Sequence, residues 1–77
     1  GSIKFHFKRH PQVLVYERAE FLIIVNLADK KAHLDFSKIA NFADGETINY
    51  QQVLGSSNSP FQEKMVLSAW EYRVYKK

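Results

Sequence analysis

Seven consecutive residues, Phe21-Leu22-Ile23-Ile24-Val25-Asn26-Leu27, carry apolar side chains at six positions, with β-branched ones at the centre. Successive side chains of an extended segment point to opposite faces, so this one is apolar on both. It is expected to be a central strand with a cover on each side. The chain has only 77 residues to supply those covers. A domain of that size buries roughly 60 to 65% of its unfolded surface, which leaves a modest core.

The rest of the chain also reads as strands. In Ile3-Lys4-Phe5-His6-Phe7-Lys8 apolar residues alternate strictly with basic or imidazole ones, the period-2 signature of a strand with one face in the core and one in water. After Pro11, Val13 to Arg18 has apolar groups on both faces, and Ala19-Glu20 is a link of hairpin length without Asn-Gly chemistry. Ala28 to Lys31 is a polar turn, and Ala32 to Phe36 resumes alternation with Leu34 and Phe36 on one side. Ser37 to Asp44 reads either as a Ser-capped helical turn carrying Ile39 and Phe42 inward and ending at Gly45, or as an irregular loop. Thr47 to Leu54 is a further strand, and Gly55 to Pro60 is a solvated loop by composition. The last pair is Phe61 to Leu67 and Trp70 to Tyr75, with Trp70, Tyr72 and Val74 on one face and Glu71 and Arg73 on the other.

About seven to eight short strands separated by turn signals every eight to twelve residues indicate an all-β, antiparallel sandwich or small barrel in a single domain, residues 1–77. There is no room for a crossover helix, which disfavours a parallel sheet. The absence of cysteine excludes a disulfide framework and a thiolate zinc site. Six of the eleven basic residues lie in the first ten or last five positions, and the net charge of +3 falls to +1 without Lys76 and Lys77. That is a poor footprint for nucleic acid. The longest apolar run, Phe21 to Val25, is far short of the roughly 20 residues of a membrane helix. Basic residues interleaved with Phe at Lys4 to Arg9 are unlike a signal peptide. Neither a membrane nor a nucleic-acid partner is therefore expected. Whether the compartment is cytoplasmic or secreted depends on sequence preceding this segment.

The order of Val13-Leu14-Val15-Tyr16-Glu17-Arg18, Phe21-Leu22-Ile23-Ile24-Val25-Asn26-Leu27 and Leu67-Ser68-Ala69-Trp70-Glu71-Tyr72-Arg73-Val74-Tyr75 resembles the C-terminal all-β domain of the alpha-amylase family of glycoside hydrolases. Gln52-Val53-Leu54-Gly55 resembles the short segment before that family's variable loop, and Ala69 stands where the family usually has a proline. The resemblance implies a Greek-key β-sandwich that follows a (β/α)8 catalytic barrel and packs against it. It implies a noncatalytic C-terminal piece of an enzyme acting on alpha-glucans or alpha-glucosides, with the catalytic carboxylates in the barrel.

No catalytic, cofactor or metal site is expected in this chain. Glycoside hydrolysis needs two carboxyls roughly 5 to 10 Å apart across a sugar, whereas the candidate pairs Glu17/Glu20 and Asp44/Glu46 fall in turns or at strand ends. His6 and His10 would chelate a metal on a helix, but four residues of strand span about 13 Å. Arg18 and Arg73 each end or interrupt an apolar strand beside an acid, so their planar forks are expected to lock strands to each other or to a neighbouring barrel. Tyr16, Tyr50, Trp70, Tyr72 and Tyr75 offer flat rings for stacking on an alpha-glucan, although Trp70 and Tyr72 share the face of Val74, which reads as core or interface. The candidate contact residues are thus Tyr16, Arg18, Trp70, Tyr72 and Arg73. Two rival readings stand beside the accessory domain. One is a free-standing carbohydrate-binding module; the other is a basic oligonucleotide-binding barrel, prompted by Phe5-His6-Phe7-Lys8-Arg9.

Overall fold

The computed structural model describes residues 3–38 and 50–77. These form seven strands: β1 (Ile3–His6), β2 (Val13–Arg18), β3 (Phe21–Asn26), β4 (Ala32–Asp35), β5 (Gln51–Gly55), β6 (Lys64–Leu67) and β7 (Tyr72–Lys76). Five make one sheet in the order β1-β2-β3-β7-β5, and β4 pairs with β6 in a second. Every pairing is antiparallel. The fold is an all-β sandwich, and β3 is its middle strand, as its two-sided hydrophobicity demands.

The core lies between the two sheets. Val13 and Val15 of β2, Leu22 and Ile24 of β3 and Tyr75 of β7 face Ala32 and Leu34 of β4 and Met65 and Leu67 of β6. In the small sheet Ala32 sits opposite Leu67 and Leu34 opposite Met65, so alternate residues of both strands point inward. Phe36, in a short 3-10 turn after β4, continues that face and is buried. Rings close the remaining space. Phe61 lies 5.5 Å from Phe36, 5.1 Å from Tyr50 and 5.5 Å from Tyr75 between ring centroids, and so joins the sheets. It does this from irregular backbone, since β6 begins at Lys64 rather than at Phe61. The anticipated turn with Ile39 and Phe42, and the start of the strand at Thr47, lie outside the described residues.

Two alternating segments face the opposite way from the sequence expectation. In β1 the apolar positions point outward: Ile3 and Phe5 are 47% and 46% exposed, whereas His6 is 7% exposed. The reason is that His6 has a half-buried acceptor in Glu17, and that Ile3 and Phe5 pair with Arg18 and Tyr16 on the outer side of the sheet. Phe7 nevertheless reaches the core. Its φ of 52° ends the strand and turns its ring edge-on to Phe36 at 5.1 Å. At β7 Glu71 and Arg73 are buried while Trp70 and Tyr72 are exposed, so of the core-or-interface reading of the Trp70–Tyr72 face the core half falls, and Tyr75 on the other face is the ring that enters the core.

The β2–β3 hairpin closes through Ala19-Glu20, with Arg18 opposite Phe21. Ala19 has φ 53°, a left-handed conformation that costs an L-residue about 1–2 kcal/mol and glycine almost nothing. After allowing for the greater chain entropy of glycine, Ala19→Gly is expected to stabilise the fold by about 0.5–1 kcal/mol, a few degrees in Tm. Thermal denaturation followed by circular dichroism measures this, and an unchanged or lower midpoint contradicts it.

Candidate functional site

The inner face of the large sheet holds polar groups, and the sandwich satisfies them internally. Asn26 ends β3 with no exposed surface. Its Nδ2 donates to the carbonyls of Lys30 at 2.8 Å and Ser68 at 2.9 Å, and its Oδ1 accepts from the Ala28 amide at 3.1 Å. One side chain therefore holds the β3–β4 turn against the β6–β7 turn. Asparagine suits the position because its amide offers both donors and acceptor without a charge to desolvate.

Glu71 is the second junction. Its Oε1 accepts from the Ser68 amide at 2.7 Å, and its Oε2 accepts from Ser57 Oγ at 2.6 Å and Arg73 Nε at 2.7 Å. Arg73 Nη2 donates to the Val66 carbonyl at 3.1 Å. Burial pushes the Glu71 carboxyl up, but donation from Arg73, Ser57 and the Ser68 amide outweighs it, so the carboxyl lies below its ordinary 4.5. For Arg73, burial acts to lower and the bond to Glu71 to raise, with a net upward shift. Ser57 is thus part of a pinned loop, although the segment is exposed. Gln52 completes the pinning, with Nε2 donating to the Ser57 carbonyl at 2.7 Å and Oε1 accepting from the Ser59 amide at 2.6 Å. Tyr75 Oη donates to the Ser59 carbonyl at 2.8 Å. Gly55 leaves room for that Gln52 amide, into which a Cβ would intrude.

A third cluster surrounds Glu17, which alternation with Val13 and Val15 places inward. Glu17 Oε2 lies 2.7 Å from His6 Nε2, and Oε1 accepts from Tyr50 Oη at 2.8 Å. Burial raises the Glu17 carboxyl, but bonds to His6 and Tyr50 and the charges of His6 and Lys77 bring it below 4.5 overall. Burial and the same carboxylate push the Tyr50 hydroxyl well above its usual value. Both oxygens of Glu17 are engaged in structure, and Glu20 reaches from the hairpin turn to Lys76 Nζ at 3.6 Å. The pair does not line a common cleft; Asp44 and Glu46 lie outside the described residues. Among the described residues no three His, Asp or Glu side chains come together to hold a metal. His10 Nδ1 instead accepts from the Gln12 amide at 3.1 Å, and His33 is exposed on β4.

The outer face is the opposite in character. Register aligns Phe5, Tyr16, Ile23, Val74 and Leu54 in one row across all five strands. A second row holds Leu14, Val25 and Tyr72, and a third holds Ile3, Arg18, Phe21, Lys76 and Gln51. The rings of Phe5 and Tyr16 are 5.8 Å apart, and Lys76 Nζ sits 5.9 Å from the Phe21 ring centre. An open apolar groove of about 640 Å³ runs over this surface between Ile3, Phe21 and Val74.

Of the five candidate contact residues, the structure gathers three on that face: Tyr16, Arg18 and Tyr72. Arg73 is on the inner side, bound to Glu71. Trp70 stands in the turn before β7, 63% exposed with φ 59°, its amide donating to the Ala28 carbonyl at 3.0 Å. Phe5 points outward, His6 inward and Phe7 into the core, so the segment that prompted an oligonucleotide reading presents no common face of rings and cations. Sequence reasoning missed Glu17, His6 and Tyr50 as a unit; the alternation Val13, Val15, Glu17 was the available signal for the first of them.

No family model matches the chain, and no curated protein matches it in sequence. Solved structures do. Trehalose-6-phosphate hydrolase of Bacillus licheniformis superimposes with a TM-score of 0.75, covering 100% of this chain and 15% of that one, at 14% identity. A mutant of that hydrolase in complex with PNG gives 0.74 over 97% of this chain and 14% of that one, again at 14% identity. This chain has the fold of a small part of those hydrolases. The correspondence takes in nearly every residue here, so it concerns the whole sandwich and not one hairpin.

Two outcomes follow from the Glu71 network. Arg73→Met leaves a buried carboxylate without its cation and is expected to cost about 3 kcal/mol, read from urea denaturation. A loss below 1 kcal/mol contradicts the buried pairing. Because Glu71 and Glu17 both titrate below 4.5 when folded, the unfolded chain takes up protons first as pH falls. Their stabilisation is complete above about pH 5 and drains away as pH drops through the folded values. Glu71→Gln should make the acid limb of stability against pH shallower, and an unaltered limb removes Glu71 from that account.

Proposed function

We propose that this chain is the noncatalytic C-terminal β-sandwich of an alpha-amylase-family glycoside hydrolase, and that it stabilises the (β/α)8 catalytic barrel of an enzyme acting on alpha-glucans or alpha-glucosides. The observation that carries the reading is the superposition of the entire sandwich on 14–15% of a trehalose-6-phosphate hydrolase. The ordered strand motifs of β2, β3 and β7 support it independently of the superposition. The acids support it too: Glu17 and Glu71 are consumed in holding turns and loops, which is the work of a scaffold. Stabilisation by such a domain consists of removing apolar surface of the barrel from water at about 25 cal/mol per Å².

Trp70 favours one second reading. An exposed indole fixed by strained backbone is a suitable platform for a pyranose face, which would make the domain a carbohydrate-binding module.

The encoding gene decides the first reading. Upstream of Ile3 it is expected to hold a barrel-sized region, roughly 250 residues or more, with Asp and Glu at strand ends. An upstream region too short for a barrel, or without such acids, rejects it. Affinity electrophoresis of the 77-residue chain on starch, glycogen and pullulan decides the second: retardation abolished by Trp70→Ala supports a binding module, and free migration on all three eliminates it.

A further inference from the structure

The turns at one end of the sandwich gather the excess charge of the chain. Three of them meet there: residues 7–12 between β1 and β2, 27–31 between β3 and β4, and 68–71 between β6 and β7. Backbone bonds tie them together. The Leu27 amide donates to the Gln12 carbonyl at 2.7 Å, and the Trp70 amide to the Ala28 carbonyl at 3.0 Å. Asn26 binds the second turn to the third through the carbonyls of Lys30 and Ser68.

These turns present Lys8, Arg9, Lys30 and Lys31 with one exposed carboxylate, Asp29. The His10 amide donates to the Phe7 carbonyl at 2.9 Å, which puts Lys8 and Arg9 at the two corners of a tight turn. Among the described residues none of the four cations has an ion-pair partner. Four positive charges and one negative leave +3, the net charge of the whole chain, because the other seven basic and seven acidic residues cancel. Two apolar side chains stand in the same turns, Leu27 at 57% exposed and Trp70 at 63%.

We propose that this end of the sandwich rests on an anionic lipid surface, with Leu27 and Trp70 entering the headgroup region and the four cations facing lipid phosphates. A bilayer interface favours an indole, whose apolar body and N–H suit the two sides of the boundary. Leucine gains there by leaving water. Each Lys or Arg close to an anionic surface adds about fivefold in affinity. Other partners use only part of the patch. A neutral glucan stacks on Trp70 and leaves Leu27 and the cations idle. A nucleic-acid strand takes the cations but finds one exposed ring in these turns, where successive bases need several. A peripheral contact requires no spanning segment, so the shortness of the longest apolar run does not bear on it. The inference stands apart from the function proposed above, since it invokes no residue outside this chain.

The test is co-sedimentation of the 77-residue chain with sucrose-loaded vesicles of phosphatidylcholine, alone or mixed equally with phosphatidylserine. Binding is expected to be at least about tenfold stronger on the mixed vesicles and to fall as salt shortens the Debye length. Lys30→Gln combined with Lys31→Gln should weaken it about 25-fold. Lys76→Gln combined with Lys77→Gln makes the same charge change at the far end of β7, about 15 Å or more away, and should alter it less than about twofold. Leu27→Ser should lower it about tenfold through lost apolar burial. Thermal midpoints of the variants check the fold; Asn26 uses the Lys30 carbonyl, which the substitution leaves in place. Equal binding to both vesicles, equal losses from the two lysine pairs, or indifference to Leu27→Ser overturns the assignment. Tighter capture of single-stranded poly-dT than of the mixed vesicles, lost with Lys30 and Lys31, gives the patch to nucleic acid instead. Each of these outcomes leaves the proposed function standing.

Discussion

The buried carboxylate of Glu71 is the point on which the sandwich is organised. Three donors from three places converge on it: the Ser68 amide of its own turn, the Ser57 hydroxyl of the loop after β5, and the Arg73 guanidinium two residues along β7. Arg73 then passes the connection to the Val66 carbonyl in the second sheet. Desolvating an ion pair is expensive, and it is tolerable here because each oxygen is met by a hydrogen-bond donor. Asn26, whose backbone amide donates to the Glu71 carbonyl at 2.8 Å, performs the neutral counterpart of the same task. Between them these side chains fix both turns at one end of the fold and make the loops determinate where composition suggests only a solvated connection.

This arrangement explains which face became the interior. Period 2 is visible in the residues and correctly groups Ile3 with Phe5, Leu34 with Phe36, and Glu71 with Arg73. It carries no sign. In β4 the apolar set faces inward and in β1 it faces outward, and the difference lies in partners distant along the chain: Glu17 is 11 residues from His6 and 33 from Tyr50. A hydropathy rule sends a histidine or a Glu-Arg pair to water. A closed set of hydrogen bonds reverses the assignment.

What was legible was therefore the class, the number of strands and the centrality of β3, together with the Tyr16–Arg18 side of the hairpin. The boundaries of β6 and β7 were not, because Phe61 packs from irregular backbone and Trp70 turns at positive φ. Of the candidate contacts, Tyr16, Arg18 and Tyr72 share a face by alternation and register, whereas Arg73 belongs to the scaffold. The excess of apolar faces over what a sandwich of this size can bury was legible from the start, and the outer rows give it a location.

Trp70 carries a practical consequence. It is the one tryptophan in the chain, and in the folded state the residue is 63% exposed. Its indole therefore emits from a wetted environment before and after unfolding, so fluorescence is a poor witness of whether this domain is folded. The same placement, next to the β3–β4 turn through the Ala28 carbonyl, makes it a sensitive witness of anything that comes to rest on that end of the sandwich. The chain thus carries a built-in optical probe of company rather than of conformation.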